Sequence, residues 1–161
     1  MNSIKYKFLF VVVLVVCLLT IISAYLIEYV LGHTPCNLCL FERIPYFATI
    51  ILASLVLLIK KCEKITMIII GIFFVCGAVI SFYHFGIEQG FFSESLVCDI
   101  GINNKSTSPQ DLLKELNLKA VSCKDVTFRF LGLSLATLNT ILSLIICVIM
   151  LRLGIKYDKN K

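Results

Sequence analysis

Charge is scarce in this chain: 16% of its 161 residues are Asp, Glu, Lys or Arg, against 59% that are hydrophobic. A water-facing domain carries about 25% charged residues, so an ordinary soluble enzyme of this length is excluded. A disordered chain is excluded too, because it requires low hydrophobicity and high net charge. Basic residues outnumber acidic ones by only 15 to 10, too few and too scattered for the basic face that a nucleic acid requires. Internal repeats and low-complexity tracts are lacking as well. What remains is one membrane domain, since a domain takes about 100–200 residues, and eight cysteines that need an explanation.

A charge at the bilayer centre costs at least about 2.5 kcal/mol, so uncharged runs map the spans. There are four: Phe8–Ile27 (20 residues), Ile44–Ile59 (16), Ile65–Ile87 (23) and Phe130–Leu151 (22). About 20 apolar residues cross the roughly 30 Å hydrocarbon core as a helix, which three runs satisfy. The second rises only about 24 Å and must borrow Leu40 and Phe41, leaving Glu42 and Arg43 at the headgroups. The sequence therefore predicts an all-α membrane protein, a four-transmembrane-helix bundle. Its spans are at about 8–30, 41–59, 65–87 and 130–152, with a short outer loop at about 31–40 and a long one at about 88–129. Lys5 and Lys7 ahead of the first run also suit a secretory signal. That apolar region is about 7–15 residues ending in small residues, whereas this run is longer with only Ser23-Ala24 near its end, so a retained span is expected.

Four spans leave both termini on one side, and the positive-inside rule selects it. The N-terminus, the Lys60–Lys64 turn and the tail from Arg152 carry nine Lys/Arg against two acids; the opposite side carries six against eight. Both termini are thus expected in the cytoplasm. In the long outer loop, Asn103–Pro109 reads as a flexible stretch. Ser108, Pro109 and Asp111 then open a short amphipathic helix carrying Leu112, Leu113 and Leu116 on one face.

This orientation divides the cysteines four and four. Cys17, Cys76 and Cys147 fall within spans and Cys62 in the cytoplasmic turn, where free cysteine serves as a small hydrophobe. Cys36, Cys39, Cys98 and Cys123 fall on the oxidising side, where disulfides persist. Cys36-Asn37-Leu38-Cys39 is a Cys-x-x-Cys motif, a spacing that closes a strained, exchangeable ring with depressed thiol pKa; half of a zinc site is the competing reading. Arg43, one turn beyond Cys39, together with the helix N-terminus, favours a Cys39 thiolate, and Glu42 opposes it. Arg43 also suits either hydrogen bonding to a lipid-dissolved carbonyl such as that of a quinone, or anchoring at the headgroups. Cys98 and Cys123 enclose 24 residues; a structural staple, worth about 3–4 kcal/mol in the chain-entropy model, and an exchangeable redox pair both fit. His84 is either an interfacial boundary residue or an aid to proton movement.

Pro35-Cys36-Asn37-Leu38-Cys39 with Glu42-Arg43, then Tyr83-His84-Phe85-Gly86, Cys98-Asp99, and Cys123 leading into Phe130-Leu131-Gly132-Leu133, resemble the disulfide bond formation protein B (DsbB) family over nearly the whole chain. The absence of tryptophan and the four additional cysteines depart from the family without touching these motifs. The resemblance implies a multi-pass protein of the bacterial inner membrane that reoxidises a periplasmic thioredoxin-fold thiol oxidase, DsbA-like. Its electrons go to membrane quinone, ubiquinone or menaquinone, and so to the respiratory chain, with no metal. It further implies that Cys98 takes the attack of the partner's thiolate and frees Cys123. Electrons then reach Cys36/Cys39 by exchange, Cys39 engages the quinone near Arg43, and Cys36 recloses the disulfide. The vitamin K epoxide reductase type shares this chemistry but fits the cysteine placement less well. Two other classes are carried alongside: a non-enzymatic, disulfide-stapled four-helix scaffold and an outward-facing metal-binding module.

Overall fold

The computed structural model describes residues 3–59, 62–93, 123, 129–130 and 132–157. Their elements are helices α1 (Ser3–Tyr29), α2 (Asn37–Phe41), α3 (Ile44–Ile59) and α4 (Glu63–Glu88), strands β1 (Arg129–Phe130) and β2 (Leu133–Ser134), and helix α5 (Leu135–Lys156). Cys98, the stretch 103–109 and the helix expected after Ser108 lie outside the described residues. Four apolar segments of 22 to 26 residues are long enough to cross a membrane: Tyr6–Tyr29, Asn37–Ile59, Glu63–Glu88 and Leu135–Lys156. Their outward faces suit lipid, with Phe8, Leu58, Val79 and Ile155 each about two-thirds exposed or more. Apolar exposure on that scale is untenable in water. The protein is a four-helix membrane bundle.

The short second run is completed in a way that counting charges does not reveal. Asn37–Phe41 forms its own turn of helix, α2, which stops at Glu42 and Arg43 before α3 begins. Pro45 supplies the cause: it has no N–H to give the carbonyl of Phe41, and its ring crowds that carbonyl. The backbone tightens across the break, where Arg43 N–H donates to Leu40 O and Tyr46 N–H to Arg43 O, each three residues back. Glu42 and Arg43 consequently point in different directions. The sequence set both at headgroup level, and the structure draws both side chains in among the helices. Glu42 is 7% exposed and the Arg43 side chain 12%, both turned into the bundle.

The fourth helix also starts later than the uncharged run. Arg129 pairs with Ser134 and Phe130 with Leu133 in an antiparallel ladder, turned at Gly132, whose φ of +83° costs a glycine little. Ser134 then caps α5, its hydroxyl accepting the Thr137 N–H at 3.2 Å. The absence of charge shows where a bilayer tolerates the chain; the cap decides where the helix begins.

The principal core joins Phe10 and Cys17 of α1, Tyr46 and Ala53 of α3, Met67 and Phe74 of α4, and Ile146 and Met150 of α5. Tyr46 and Phe74 meet edge to face, centroids 5.2 Å apart. Helices α4 and α5 make the most extensive contact of any pair, and two glycines permit it. A Cβ at Gly71 would stand 2.5 Å from Leu151 Cδ2, and one at Gly154 3.0 Å from Ile68 Cγ1. Small residues of this kind let membrane helices approach closely. Gly154→Val is expected to lower unfolding stability by about 1–3 kcal/mol through overpacking, read as a fall in the thermal midpoint of the purified protein.

Candidate active site at the Cys36/Cys39 pair

Cys36 is the N-cap of α2, extended at φ −75°, ψ 168°, and its Sγ accepts the Cys39 N–H at 3.4 Å. The Cys-x-x-Cys spacing has this physical meaning: an N-cap side chain reaches the backbone donor three residues on, so the two cysteines face each other over one turn. Both are free thiols, and their sulfurs share a hydrogen bond at 2.9 Å. Cys36 is 6% exposed, whereas Cys39 lines a cavity.

On the far side of Cys36 stands His84 of α4, with Nε2 3.5 Å from Cys36 Sγ. Its Nδ1 donates to Glu42 Oε1 at 2.8 Å. The other carboxylate oxygen, Oε2, accepts from Asn139 Nδ2 of α5 at 2.7 Å, and the same nitrogen donates to Ser81 Oγ at 2.6 Å. Tyr46 completes the set by donating its hydroxyl to Asn139 Oδ1. A polar chain thus runs Cys36–His84–Glu42–Asn139–Tyr46 through apolar surroundings. Glu88, one turn beyond His84, has Oε1 3.8 Å from His84 Nε2 with its side chain 6% exposed.

These neighbours act on Cys36. The hydrogen bond from the Cys39 thiol pulls the Cys36 thiol down to about 4, against burial, with help from the hydrogen bond and positive charge of His84 and from the Cys39 N–H. These contacts favour a thiolate at Cys36, where the sequence pointed to Cys39. The guanidinium counted toward Cys39 is committed elsewhere: Arg43 Nη1 donates to Glu28 at 2.8 Å, and the group stacks 4.9 Å over the Tyr25 ring.

The cavity, about 410 Å³, lies between α1 and the start of α5. Its walls are mostly aliphatic, with Cys39, Glu28, Glu42, Arg43, Tyr46 and Asn139 among its polar lining. That is the character of a small-molecule site: apolar walls with a few directed polar groups. A second feature lies beside it. Cys123, held in a disulfide, is buried in one cluster with Cys36, Leu38 and Ile87. With Cys123 in a disulfide, the four expected cysteines do not jointly offer a zinc site in this state, because a disulfide sulfur is not a thiolate ligand.

Of the residues expected from the sequence, the structure brings together Cys36, Cys39, Cys123 and His84, and sets Arg43 on the wall of the adjoining cavity. Asn139, Ser81, Tyr46 and Glu88 were missed. One signal was legible: Asn139 is a carboxamide inside an apolar run, and polar side chains at membrane depth mark function.

A family model for disulfide bond formation protein DsbB matches residues 6–153. An uncharacterized protein of Rickettsia prowazekii (strain Madrid E) is 29% identical over 158 residues, covering 97% of this chain and 91% of its own length. With the match spanning nearly every described element, and the paired cysteines set at the end of a four-helix membrane bundle, the chain belongs to the DsbB family of membrane proteins that act in disulfide bond formation.

Proposed function

We propose that the protein is a thiol:quinone oxidoreductase of the bacterial inner membrane, which reoxidises a periplasmic DsbA-like thiol oxidase and passes the electrons to membrane quinone. The observation that carries this reading is the position of the dithiol: Cys39 opens on an apolar cavity with hydrogen-bonding groups in its wall, while Cys36 shares a buried cluster with disulfide-bonded Cys123. One pair of sulfurs therefore lies between a disulfide-bonded cysteine and an apolar chamber.

Fit to a quinone head group rests on that chamber. Its volume and aliphatic walls suit a substituted ring, and Arg43 has five N–H donors, of which one is directed at Glu28. A quinone here would accept two electrons and two protons and leave as quinol. The protein's part is to deliver both. In the forward direction, the partner's dithiol reduces the Cys98–Cys123 disulfide proposed for the long loop, with Cys98 taking the attack. The dithiol so formed reduces Cys36–Cys39 by exchange, and the buried cluster that Cys36 shares with Cys123 favours Cys36 as the sulfur at which that exchange arrives. Cys36 and Cys39 then return to the disulfide as two electrons and two protons depart. His84 takes the proton of Cys36, Glu42, which lines the cavity, holds the resulting imidazolium, and Asn139 and Tyr46 fix the Glu42 carboxylate in place.

The test is quinone reduction by purified protein given a reduced thioredoxin-fold donor, followed with thiol trapping. Turnover with all four outer cysteines cycling supports the reading; cysteines that stay uniformly oxidised while donor and quinone are present would sink it in favour of a stapled scaffold. A second expectation concerns Arg43. Arg43→Gln removes a charged donor worth about 1.5–3 kcal/mol, so KM for quinone should rise roughly 10- to 100-fold, while thiol exchange with the donor stays intact.

A further inference from the structure

Cys36 Sγ, Cys39 Sγ and His84 Nε2 all lie within 4.8 Å of one another, and the resting geometry has more in common with a metal site than redox chemistry requires. Tetrahedral zinc has Zn–S bonds of about 2.3 Å and Zn–N and Zn–O bonds of about 2.0–2.2 Å. Those lengths place a sulfur and a nitrogen ligand about 3.6 Å apart, nitrogen and oxygen about 3.4 Å, and two sulfurs about 3.8 Å. The protein has 3.5 Å from His84 Nε2 to Cys36 Sγ, 3.8 Å from the same nitrogen to Glu88 Oε1, and 2.9 Å between the sulfurs. Two separations already fit within about 0.4 Å; the thiols must part by about 0.9 Å, and the Glu88 carboxylate, which stands outside the 4.8 Å cluster of the other three ligand atoms, must swing in toward the sulfurs, both by side-chain rotation.

Two further observations point to a ligand. Glu88 Oε2 is buried and accepts no hydrogen bond among the described residues, an expensive condition for a carboxylate oxygen that a cation relieves. His84 is also held as metal-binding histidines are, its second ring nitrogen donating to a carboxylate, Glu42, which fixes the tautomer and leaves the other nitrogen directed at the site.

We propose that the reduced Cys36/Cys39 pair, with His84 and Glu88, forms a redox-gated site for a thiophilic divalent cation, zinc. Binding moves no electrons: two Zn–S bonds, one Zn–N and one Zn–O bond form, and two protons pass to solvent, that of the Cys39 thiol and the one shared between Cys36 Sγ and His84 Nε2. Oxidation to the Cys36–Cys39 disulfide removes both thiolates and abolishes the site. The site itself rests on geometry alone. Its effect on turnover, holding the dithiol in the reduced form, rests on the oxidoreductase reading.

The experiment uses full-length protein in detergent, reduced with a phosphine under anaerobic conditions and titrated with Zn2+, and in parallel with Co2+ for its thiolate charge-transfer absorption. One zinc per reduced chain is expected, with none on the oxidised chain and none on Cys36→Ser. Replacing a carboxylate that supports a histidine ligand costs 10- to 100-fold in affinity, so Glu42→Gln should weaken zinc by about that factor. His84→Ala and Glu88→Gln should each weaken it by at least as much. Equal binding to oxidised protein, or unchanged affinity in both His84→Ala and Glu88→Gln, would overturn the proposal. Glu88→Gln keeps side-chain volume, which guards against a folding failure in His84→Ala. Quinone reduction is assayed separately with zinc chelated: stoichiometric zinc without turnover would sink the oxidoreductase reading and leave the site standing, and turnover without zinc binding would do the reverse.

Discussion

Cys39→Ser protein is expected to insert and to accept exchange at Cys36, yet to reduce quinone at least about 10⁴-fold more slowly, the scale at which removal of a bond-forming nucleophile is felt. The reason is stoichiometric. Two electrons leave the protein only if two sulfurs become one disulfide, and a serine hydroxyl cannot take the second place. The structure adds an asymmetry between the cysteines. Cys39 lines the cavity, whereas Cys36 is buried in the cluster that holds Cys123. Neither Cys39→Ser nor Cys36→Ser can form the Cys36–Cys39 disulfide that receives the electrons, so both should lose quinone reduction, and they differ in the exchange open to the sulfur that remains. Thiol trapping separates them: in Cys39→Ser the Cys36 thiolate attacks the proposed Cys98–Cys123 disulfide at Cys123 and Cys98 leaves as thiolate, so a Cys36–Cys123 mixed disulfide should accumulate, and it should be absent from Cys36→Ser. Undiminished quinone reduction by Cys39→Ser would disprove the assignment.

Glu42→Gln should lower kcat by about 10²–10³, within the range for losing a general acid–base element, with KM for quinone changed far less. An amide keeps the volume and a hydrogen bond to His84, but it neither holds an imidazolium nor accepts and releases a proton. His84→Ala should be slower still and should move the titration of Cys36. With that hydrogen bond and positive charge gone, the thiolate becomes less favourable and its pKa rises from about 4 toward the ordinary thiol range near 8.5. The sign is checkable by thiolate ultraviolet absorbance on reduced protein. A thiol whose folded pKa is depressed contributes stability above its unfolded value, and that contribution fades as pH falls through about 4. His84→Ala should shrink this window from its acidic end. A rate that is low but pH-independent in Glu42→Gln, with wild-type Cys36 titration, would reduce Glu42 to packing.

The four-span architecture was legible because the cost of a charge in hydrocarbon writes itself into the spacing of Lys, Arg, Asp and Glu. The motif cysteines were legible because their spacing fits one helical turn. Glu42 was misread for the same reason that the spans were read well: a charge treated as a boundary marker is placed at the surface. Here a histidine and an asparagine from other helices meet both of its oxygens and bring it inside. His84 and Asn139 are separated from Glu42 by 42 and 97 positions, and spacing along the chain carries no information about partners that distant. Pro45 was in plain view, but a tally of charges takes no account of a missing N–H. The start of α5 was hidden likewise, since Ser134 announces a cap only once the ladder before it is known.

The break at Glu42 and Arg43 has a mechanical side. Arg43 is bonded to Glu28 of α1, and Glu42 to His84 of α4 and Asn139 of α5, so two adjacent residues fasten three helices at one level of the bundle. The chamber between α1 and α5 is thus closed on one side by a latch, the Arg43–Glu28 pair, and on the other by a rigid post. Widening the chamber for a bulky ring means pulling α1 away from the break, and the latch is the link that must yield first.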